Sequence, residues 1–383
     1  MKKKILFCCY GLGIGGIERC LINLLNVLDT SRYEIDVLPM NPEWDLLPNL
    51  RANVTVLQPF DYVMNTTDTI KEFKNKKKGL NLYLRYIAYR VINKWGKKPW
   101  ELFKAPEKEY DVAIAYAHIG YVPYYVIDCI HAKKKYMWHH EGRYLKDVHY
   151  SLDKEYYPQF NALVAVSNDD RNVLVEAFPN LENHIKVLYN VLDREDIRKK
   201  SLEPCSFNYL PGVLKLATVG RLTHQKGPDL LLQIASNLKS MNIAFQWCWV
   251  GDGDLMEYFK SEIQRLGLTE VVIPVGNQTN PYPYMLQCDI YVQPSYYEAY
   301  CTTTLEAQVL TKPVITTDVC GMREQFCGEG DGIITDINVE SILNAIITLA
   351  KNKEMRAKIS CNLKEKMRGS DENLEAYYDL FDE

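Results

Sequence analysis

Tyr296-Tyr297-Glu298-Ala299-Tyr300-Cys301-Thr302-Thr303-Thr304-Leu305-Glu306-Ala307 lies between two apolar runs, residues 289–294 and 313–317. The runs read as strands, and the segment between them as a polar loop that turns into a short helix. Strand, loop, helix and strand make half of a parallel α/β unit, and open α/β sheets bind ligands at the carboxyl ends of their strands. Two carboxylates stand eight positions apart, Glu298 early in the loop and Glu306 within the helix. Thr302, Thr303 and Thr304 fall between them, at the expected helix N-terminus. Free N–H groups and a partial positive charge there suit an anion such as a diphosphate. A carboxylate repels phosphate but accepts hydrogen bonds from sugar hydroxyls. The ligand so sketched has a diphosphate in the middle and hydroxyls at both ends, which describes a nucleotide-sugar. A loop with one solvated Glu and one Glu on a helix surface has the same spacing, so spacing alone leaves both readings standing.

Composition sets the frame around this stretch. A chain of 383 residues suggests two or three domains. Its 47% apolar and 25% charged content is that of an ordinary soluble globular protein. The net charge of −4 gives no general attraction to nucleic acid. Residues 1–10 resemble the start of a signal peptide, but the apolar run stops at Gly11 and a helical pattern follows, so a buried strand is the better reading. No run reaches the length of a membrane-spanning helix. The 11 cysteines are odd in number and unpaired in spacing. Several, such as Cys8, Cys9 and Cys248, sit in apolar runs and read as reduced core thiols of a cytoplasmic protein. No His/Cys cluster has zinc spacing, and no metal and no resident cofactor are expected.

The first half alternates strands and helices. Strands are expected at 4–10, 33–40, 54–57, 111–117, 134–138, 162–167 and 186–188, with a helix over 17–28 (Ile17, Leu21, Leu24, Leu25, Leu28). This pattern predicts a parallel sheet. Gly11-Leu12-Gly13-Ile14-Gly15-Gly16 matches G-x-G-x-x-G after the first strand. The second strand ends Leu38-Pro39-Met40, without the acidic residue that clamps a dinucleotide ribose, so the glycines are read as close backbone approach to an anion or sugar. Segment 71–100 interrupts the alternation. It carries ten Lys or Arg from Lys71 to Lys98 against the single acid Glu72, interleaved with Tyr83, Tyr86 and Trp95. It reads as a basic, aromatic amphipathic insertion, either packed on the core or able to meet an anionic membrane surface from the cytoplasmic side. His139-His140 closes the fifth strand, which puts one histidine near the cleft.

The second half repeats the scheme. Residues 190–212 are polar, with Pro204 and Pro211, and read as a connection. A strand at 214–220 leads into Arg221-Leu222-Thr223-His224-Gln225-Lys226-Gly227 and a helix over 228–238. Two cations before a helix N-terminus make an anion site. A strand at 244–250 runs into Gly251-Asp252-Gly253-Asp254, where turn and helix-capping roles are expected in preference to a metal site. A strand at 271–275 ends at Gly276-Asn277, and helices over 339–350 and 354–367 and a closing helix over 374–380 follow. The expected architecture is α/β: a Rossmann-like domain over 1–192, a second over 193–366, and a closing segment 367–383 that returns toward the first domain.

Five blocks in order now bear on one family: Gly13-Ile14-Gly15-Gly16-Ile17-Glu18-Arg19; Asn190-Val191-Leu192-Asp193; Val219-Gly220-Arg221 with Lys226-Gly227; Gly251-Asp252-Gly253; and Glu298 to Glu306 followed by Lys312-Pro313-Val314-Ile315. Together they resemble glycosyltransferase family 4, a retaining family with the two-domain GT-B fold that includes bacterial cell-surface polysaccharide enzymes. The resemblance implies a hexosyltransferase using a nucleotide-sugar, UDP-linked, and a glycan or lipid-linked acceptor, with no metal and no nucleic-acid partner. It implies that Arg221 and Lys226 neutralise the donor diphosphate, that Glu306 holds the ribose and that Glu298 and His140 meet the transferred sugar. Gly15 and Gly16 would close over the phosphate, and Gly276 and Asn277 would lie near the base. Tyr300, Cys301, Thr302 and Thr303 complete the donor-binding candidates. One departure stands out: the family has Gly-Phe-Gly where this chain has Ala299-Tyr300-Cys301, which implies a narrower sugar pocket. The same fold also serves sugar-nucleotide epimerases, phosphorylases and non-catalytic partner subunits, and these remain alternatives.

Overall fold

Strands rich in β-branched and aromatic residues assemble into two separate parallel sheets in the computed structural model, which describes residues 2–58, 98–146, 149–326, 328, 330–369 and 373–383. The first sheet contains β1 (Lys3–Cys9), β2 (Tyr33–Pro39), β3 (Thr55–Val56), β4 (Tyr110–Ala115), β5 (Ala132–His139), β6 (Ala162–Ala165) and β7 (Ile185–Val187), in the order 3-2-1-4-5-6-7. Helices α1 (Gly16–Val27), α2 (Val122–Cys129), α3 (Tyr150–Tyr156) and α4 (Asn168–Ala177) cross between its strands. Every strand pair is parallel. A parallel sheet is covered on both faces, so its strands read as continuous apolar runs. In β1, Ile5 and Phe7 join one core cluster while Leu6 and Cys8 join the other.

The connection at 190–212 holds a helix that its polar composition did not announce, α5 (Arg194–Lys200). The signals are at its ends: the Asp193 side chain accepts the Asp196 N–H, and Arg198, Lys199 and Lys200 fill the last turn, where the helix dipole favours cations.

The second sheet contains β8 (Leu214–Val219), β9 (Phe245–Val250), β10 (Val272–Gly276), β11 (Ile290–Gln293), β12 (Val314–Thr317) and β13 (Ile333–Thr335). Its order is 10-9-8-11-12-13, again all parallel. Helices α6 (Pro228–Ser240), α7 (Met256–Arg265), α8 (Tyr282–Gln287), α9 (Thr302–Val309), α10 (Met322–Gln325), α11 (Val339–Lys351) and α12 (Lys353–Lys366) surround it. The three-residue β13 is too short to show a period. One expectation is corrected: α7 starts at Met256 with Leu255 at its N-cap position, so neither aspartate caps it. Asp252 instead accepts the N–H of Gly253 within the preceding turn.

Helix α13 (Leu374–Asp382) crosses back to the first sheet. Phe381 packs edge-on against Phe7 and Tyr377 stacks on Trp138, with ring centres 6.0 and 6.1 Å apart. Tyr377 and Phe381 are fully buried, and burial of side chains this size is worth roughly 1.5–3 kcal/mol each. The ten cysteines among the described residues are free thiols. No described helix is long and apolar enough to cross a membrane. Of the basic segment 71–100, residues 71–97 lie outside the described residues. At its end Trp100 is buried and donates its indole N–H to Asp128 at 2.8 Å.

Candidate functional site

Each sheet has one point where the strand order reverses, between β1 and β4 in the first and between β8 and β11 in the second. Ligand crevices form at such points, beyond the carboxyl ends of the strands. The loops that leave these four strands all border one cleft of about 440 Å³ between the two domains. The 11–16 glycine loop follows β1, His118 follows β4, the 220–227 loop follows β8 and the 294–301 loop follows β11. The site is therefore a consequence of topology before any side chain is considered.

On the second domain, two loops lock together. Gly227 has φ +66°, and a Cβ there would stand 2.0 Å from the Pro294 carbonyl oxygen, so only glycine permits this approach. The Gln225 carbonyl accepts the Tyr296 N–H at 2.8 Å, and its side-chain amide donates to the Tyr297 carbonyl at 3.0 Å. This brings Lys226 Nζ to 2.5 Å from Glu298 Oε1, an oxygen that also accepts the Ser295 hydroxyl at 2.6 Å. Burial alone would pull the Lys226 ammonium down, but Glu298 outweighs it and holds Lys226 above the usual lysine value. Two residues to which the sequence assigned separate duties are thus direct partners. Arg221 is exposed and also lines the cleft.

Helix α9 points its N-terminus into the cleft, with Cys301 at the N-cap position making no side-chain cap. Thr302 and Thr303 line the cleft there; Thr302 Oγ1 lies 3.0 Å from Cys20 Sγ of the first domain, and Thr303 donates to Gln293 at 3.1 Å. Glu306 is fully buried one turn further on, not on a solvated helix surface. Its Oε1 accepts the Tyr282 hydroxyl at 3.0 Å, whereas Oε2 has no partner among the described residues. Burial raises the Glu306 carboxyl above its usual range, partly offset by Arg19 and by the tyrosine. Asn277 and Gln278 line the far end. Gly276 does not reach the cleft; its carbonyl accepts the Gly251 N–H at 2.9 Å and shapes the turn that presents Asn277. Tyr300 lines the wall and leans on Tyr189 at 5.2 Å between ring centres, so the bulkier loop occupies the first-domain side of the cleft.

The first domain contributes Gly15, Gly16 and a histidine group. A Cβ on Gly16 would meet nothing within 4 Å, so its backbone faces open cleft. His140 packs on the Tyr116 ring at 5.0 Å, and its Nε2 is sealed from solvent with no partner among the described residues. Burial, helped by His118, pushes its imidazole down to about 3, so it is neutral at physiological pH. His139 is turned away and pairs with buried Asp170 at 2.8 Å. His118 and Glu141, which the sequence did not single out, face the cleft as a pair at 3.1 Å. Burial and His139 push the His118 imidazole below its usual value, and its N–H holds the Glu141 carboxylate down to about 2. His118 carried a usable signal, since it lies just past the carboxyl end of β4. Arg19, noted in sequence only within the glycine block, also lines the cleft, as does Tyr297. Among the described residues no group of three or more His, Cys, Asp or Glu is placed to hold a metal ion.

Residues 208–366 match the family described as glycosyl transferases group 1. Over 362 residues the chain is 24% identical to the N-acetylgalactosamine-N,N'-diacetylbacillosaminyl-diphospho-undecaprenol 4-alpha-N-acetylgalactosaminyltransferase of Campylobacter jejuni, covering 93% of this chain and 92% of that one. Its fold is similar to that of Anabaena Alr3699/HepE in complex with UDP, with a TM-score of 0.66 and 17% identity over 100% of this chain and 99% of that one. A glycosyltransferase from Rickettsia africae superposes with a TM-score of 0.70 at 18% identity, covering 99% and 98% of the two chains. With two parallel α/β domains meeting over one cleft, these likenesses make the chain a GT-B glycosyltransferase that resembles the enzymes of bacterial polysaccharide synthesis.

Proposed function

We propose that the chain is a retaining, metal-independent member of glycosyltransferase family 4 that moves a hexosyl group from a UDP-sugar to a glycan or lipid-linked acceptor. One observation carries the reading. A single cleft presents two cations, Arg221 and Lys226, an uncapped helix N-terminus at Thr302, and two carboxylates, Glu298 and Glu306. That is the complement of a ligand with a diphosphate between two hydroxyl-bearing groups. The relatives favour the same ligand class: the Campylobacter protein is named for transfer to a diphospho-undecaprenol saccharide, and the Anabaena structure holds UDP.

In this reading the diphosphate lies against the N–H groups at Thr302 and Thr303, with Arg221 and Lys226 beside it and Gly15 and Gly16 closing from the first domain. Glu306 takes the ribose hydroxyls and Asn277 borders the base. Glu298, His140 and Tyr300 surround the transferred sugar. Breaking the bond from the anomeric carbon to the phosphate oxygen places negative charge on the diphosphate and positive charge on the sugar ring. Fixed cations stabilise that separation, by roughly 3–4 kcal/mol for one well-placed group. Lys226 reaches this position already oriented by Glu298, whose second tie to Ser295 remains when the lysine turns to phosphate. The acceptor enters on the first-domain side, past His118 and Glu141. Segment 71–100 would bring that side to an anionic membrane surface.

The test is turnover of UDP-sugars by wild type and Lys226→Ala, with EDTA present and the product anomer read by proton NMR. Turnover should survive EDTA, the product should keep the donor's anomeric configuration, and Lys226→Ala should lose roughly a hundredfold while remaining folded. Inversion, abolition by EDTA or undiminished turnover in the variant each refute the corresponding part of the proposal.

A further inference from the structure

Arg19 is almost entirely buried, although it sits in the first turn of α1 on a domain that does not contain the two carboxylates. Its guanidinium crosses the cleft. One terminal nitrogen donates to the Tyr282 hydroxyl at 3.1 Å, the other to the Thr279 carbonyl at 3.2 Å, and Nε lies 3.9 Å from Glu306 Oε1. Tyr282 in turn donates to that same Oε1. A three-member chain therefore runs from the first domain to Glu306, a residue that lines the cleft and whose Oε2 is buried with no partner among the described residues. A buried acceptor without a donor is costly, and such atoms mark places where a ligand group completes the bonding.

We infer that Arg19 is a positioning residue for nucleotide-ribose recognition: it reaches across the closed cleft, orients Glu306 through Tyr282 and keeps its free oxygen an acceptor for a ribose hydroxyl. The inference rests on the reading of Glu306 as the ribose contact. Its physical basis is the hydrogen-bonded chain from Arg19 through Tyr282 to Glu306 Oε1, and the balance of forces on the carboxyl bears on it too. Burial favours the neutral acid, which would carry a proton and donate, whereas Arg19 and Tyr282 favour the carboxylate. A charged acceptor makes the stronger bond to a hydroxyl. Because Arg19 belongs to one domain and Tyr282, Thr279 and Glu306 to the other, this arrangement is complete only when the domains are together. Ribose recognition and closure become one event.

The experiment compares the affinity of UDP with that of 2′-deoxy-UDP by calorimetry on the full chain, with the GDP and ADP pairs run alongside to cover a different base. Wild type should prefer the ribonucleotide by tenfold or more, since a site built around a hydroxyl rejects the analogue lacking it. In Arg19→Met the preference should fall to within about threefold. Tyr282→Phe, which removes only the linking hydroxyl, should move the ratio the same way and serves if Arg19→Met does not fold. A preference kept at the wild-type ratio in a folded variant overturns the role of Arg19 and leaves the ribose reading of Glu306 intact. Equal affinity of wild type for both nucleotides of every pair overturns the ribose reading itself.

Discussion

His140 stands in the folded protein as a neutral imidazole, because burial and the neighbouring His118 push its affinity for a proton down to about 3. An unfolded histidine titrates near 6.5. Between those values the unfolded chain binds a proton that the folded chain does not, so stability is full above about 6.5 and falls as the pH drops. His118 is lowered too and adds to this slope. The Glu141 carboxyl, held down to about 2, contributes only at lower pH, below the ordinary carboxylate value. Thermal unfolding at pH 7.5 and 5.0, compared between wild type and His140→Gln, therefore isolates the part that His140 contributes. Wild type should lose stability over that interval, and His140→Gln should remove part of the loss, of the order of 1 kcal/mol per pH unit. Identical slopes in the two proteins would mean that His140 is not buried in its neutral form. Glu298, Glu306, Lys226 and His140 were legible in sequence because each sits at the end of an apolar run or a fixed step beyond one. Arg19, Tyr282 and Glu141 were not. Their importance comes from partners on another element, and a periodic helix such as α1 gives no sign that one of its polar positions is buried against a second domain.

At the scale of elements, the N-terminus of α4 acts as a dock for the other domain. Ser167 caps the helix, yet the N–H groups of Asn168 and Asp169 remain available, and both donate to Glu324 at the second domain's α10, at 2.9 and 3.1 Å. The Tyr189 hydroxyl adds a third bond at 2.7 Å, and the Gly321 N–H returns one to Asp169 at 2.9 Å. Burial alone would raise the Glu324 carboxyl, but these donors outweigh it and hold it below its usual range. A carboxylate at a helix N-terminus is favoured by the helix dipole as well as by the hydrogen bonds. Glu324→Gln keeps the shape and removes the charge. If this dock helps hold the donor-binding arrangement together, the variant should populate the open form more and bind UDP several-fold more weakly, since apparent affinity scales with the competent fraction. An unchanged UDP affinity would assign the dock no part in closure. The elements themselves were largely readable: the repeated alternation of apolar runs and helical periods predicted both parallel sheets. The helices α5, α8 and α10 and the strand β13 escaped, being too short or too polar for periodicity to register.

For the whole molecule, the two domains meet at atomic range, and one glycine sets how near they come. Gly142, in the loop after β5, has φ +68°, and a Cβ there would stand 1.8 Å from the Glu298 carbonyl oxygen and 2.7 Å from the Ala299 Cα. Beside it the Ser167 hydroxyl donates to the Ala299 carbonyl at 3.0 Å, and the Arg143 guanidinium lies 3.6 Å from the centre of the Tyr297 ring while donating to its hydroxyl. The backbone that carries Glu298 is thus pressed directly against the first domain. A methyl group at 142 cannot be absorbed by a flexible side chain, because the atoms it meets are main chain. Gly142→Ala has two separable effects. The left-handed conformation costs roughly 1–2 kcal/mol for any residue with a Cβ, and the wedge opens the cleft. Gly212→Ala supplies the control, since Gly212 has φ +77° with nothing within 4 Å of a Cβ and so suffers the conformational cost alone. Solution scattering with and without UDP distinguishes them. Wild type and Gly212→Ala should both contract on adding nucleotide, as domain closure around a ligand demands. Gly142→Ala should remain at the expanded radius and lose turnover by roughly a hundredfold, the scale expected when reacting groups are displaced by about 1 Å. If Gly142→Ala contracts and turns over like Gly212→Ala, the close approach at Glu298 is not part of the working state, and the alignment of the Glu298 carboxylate must come from the second domain alone.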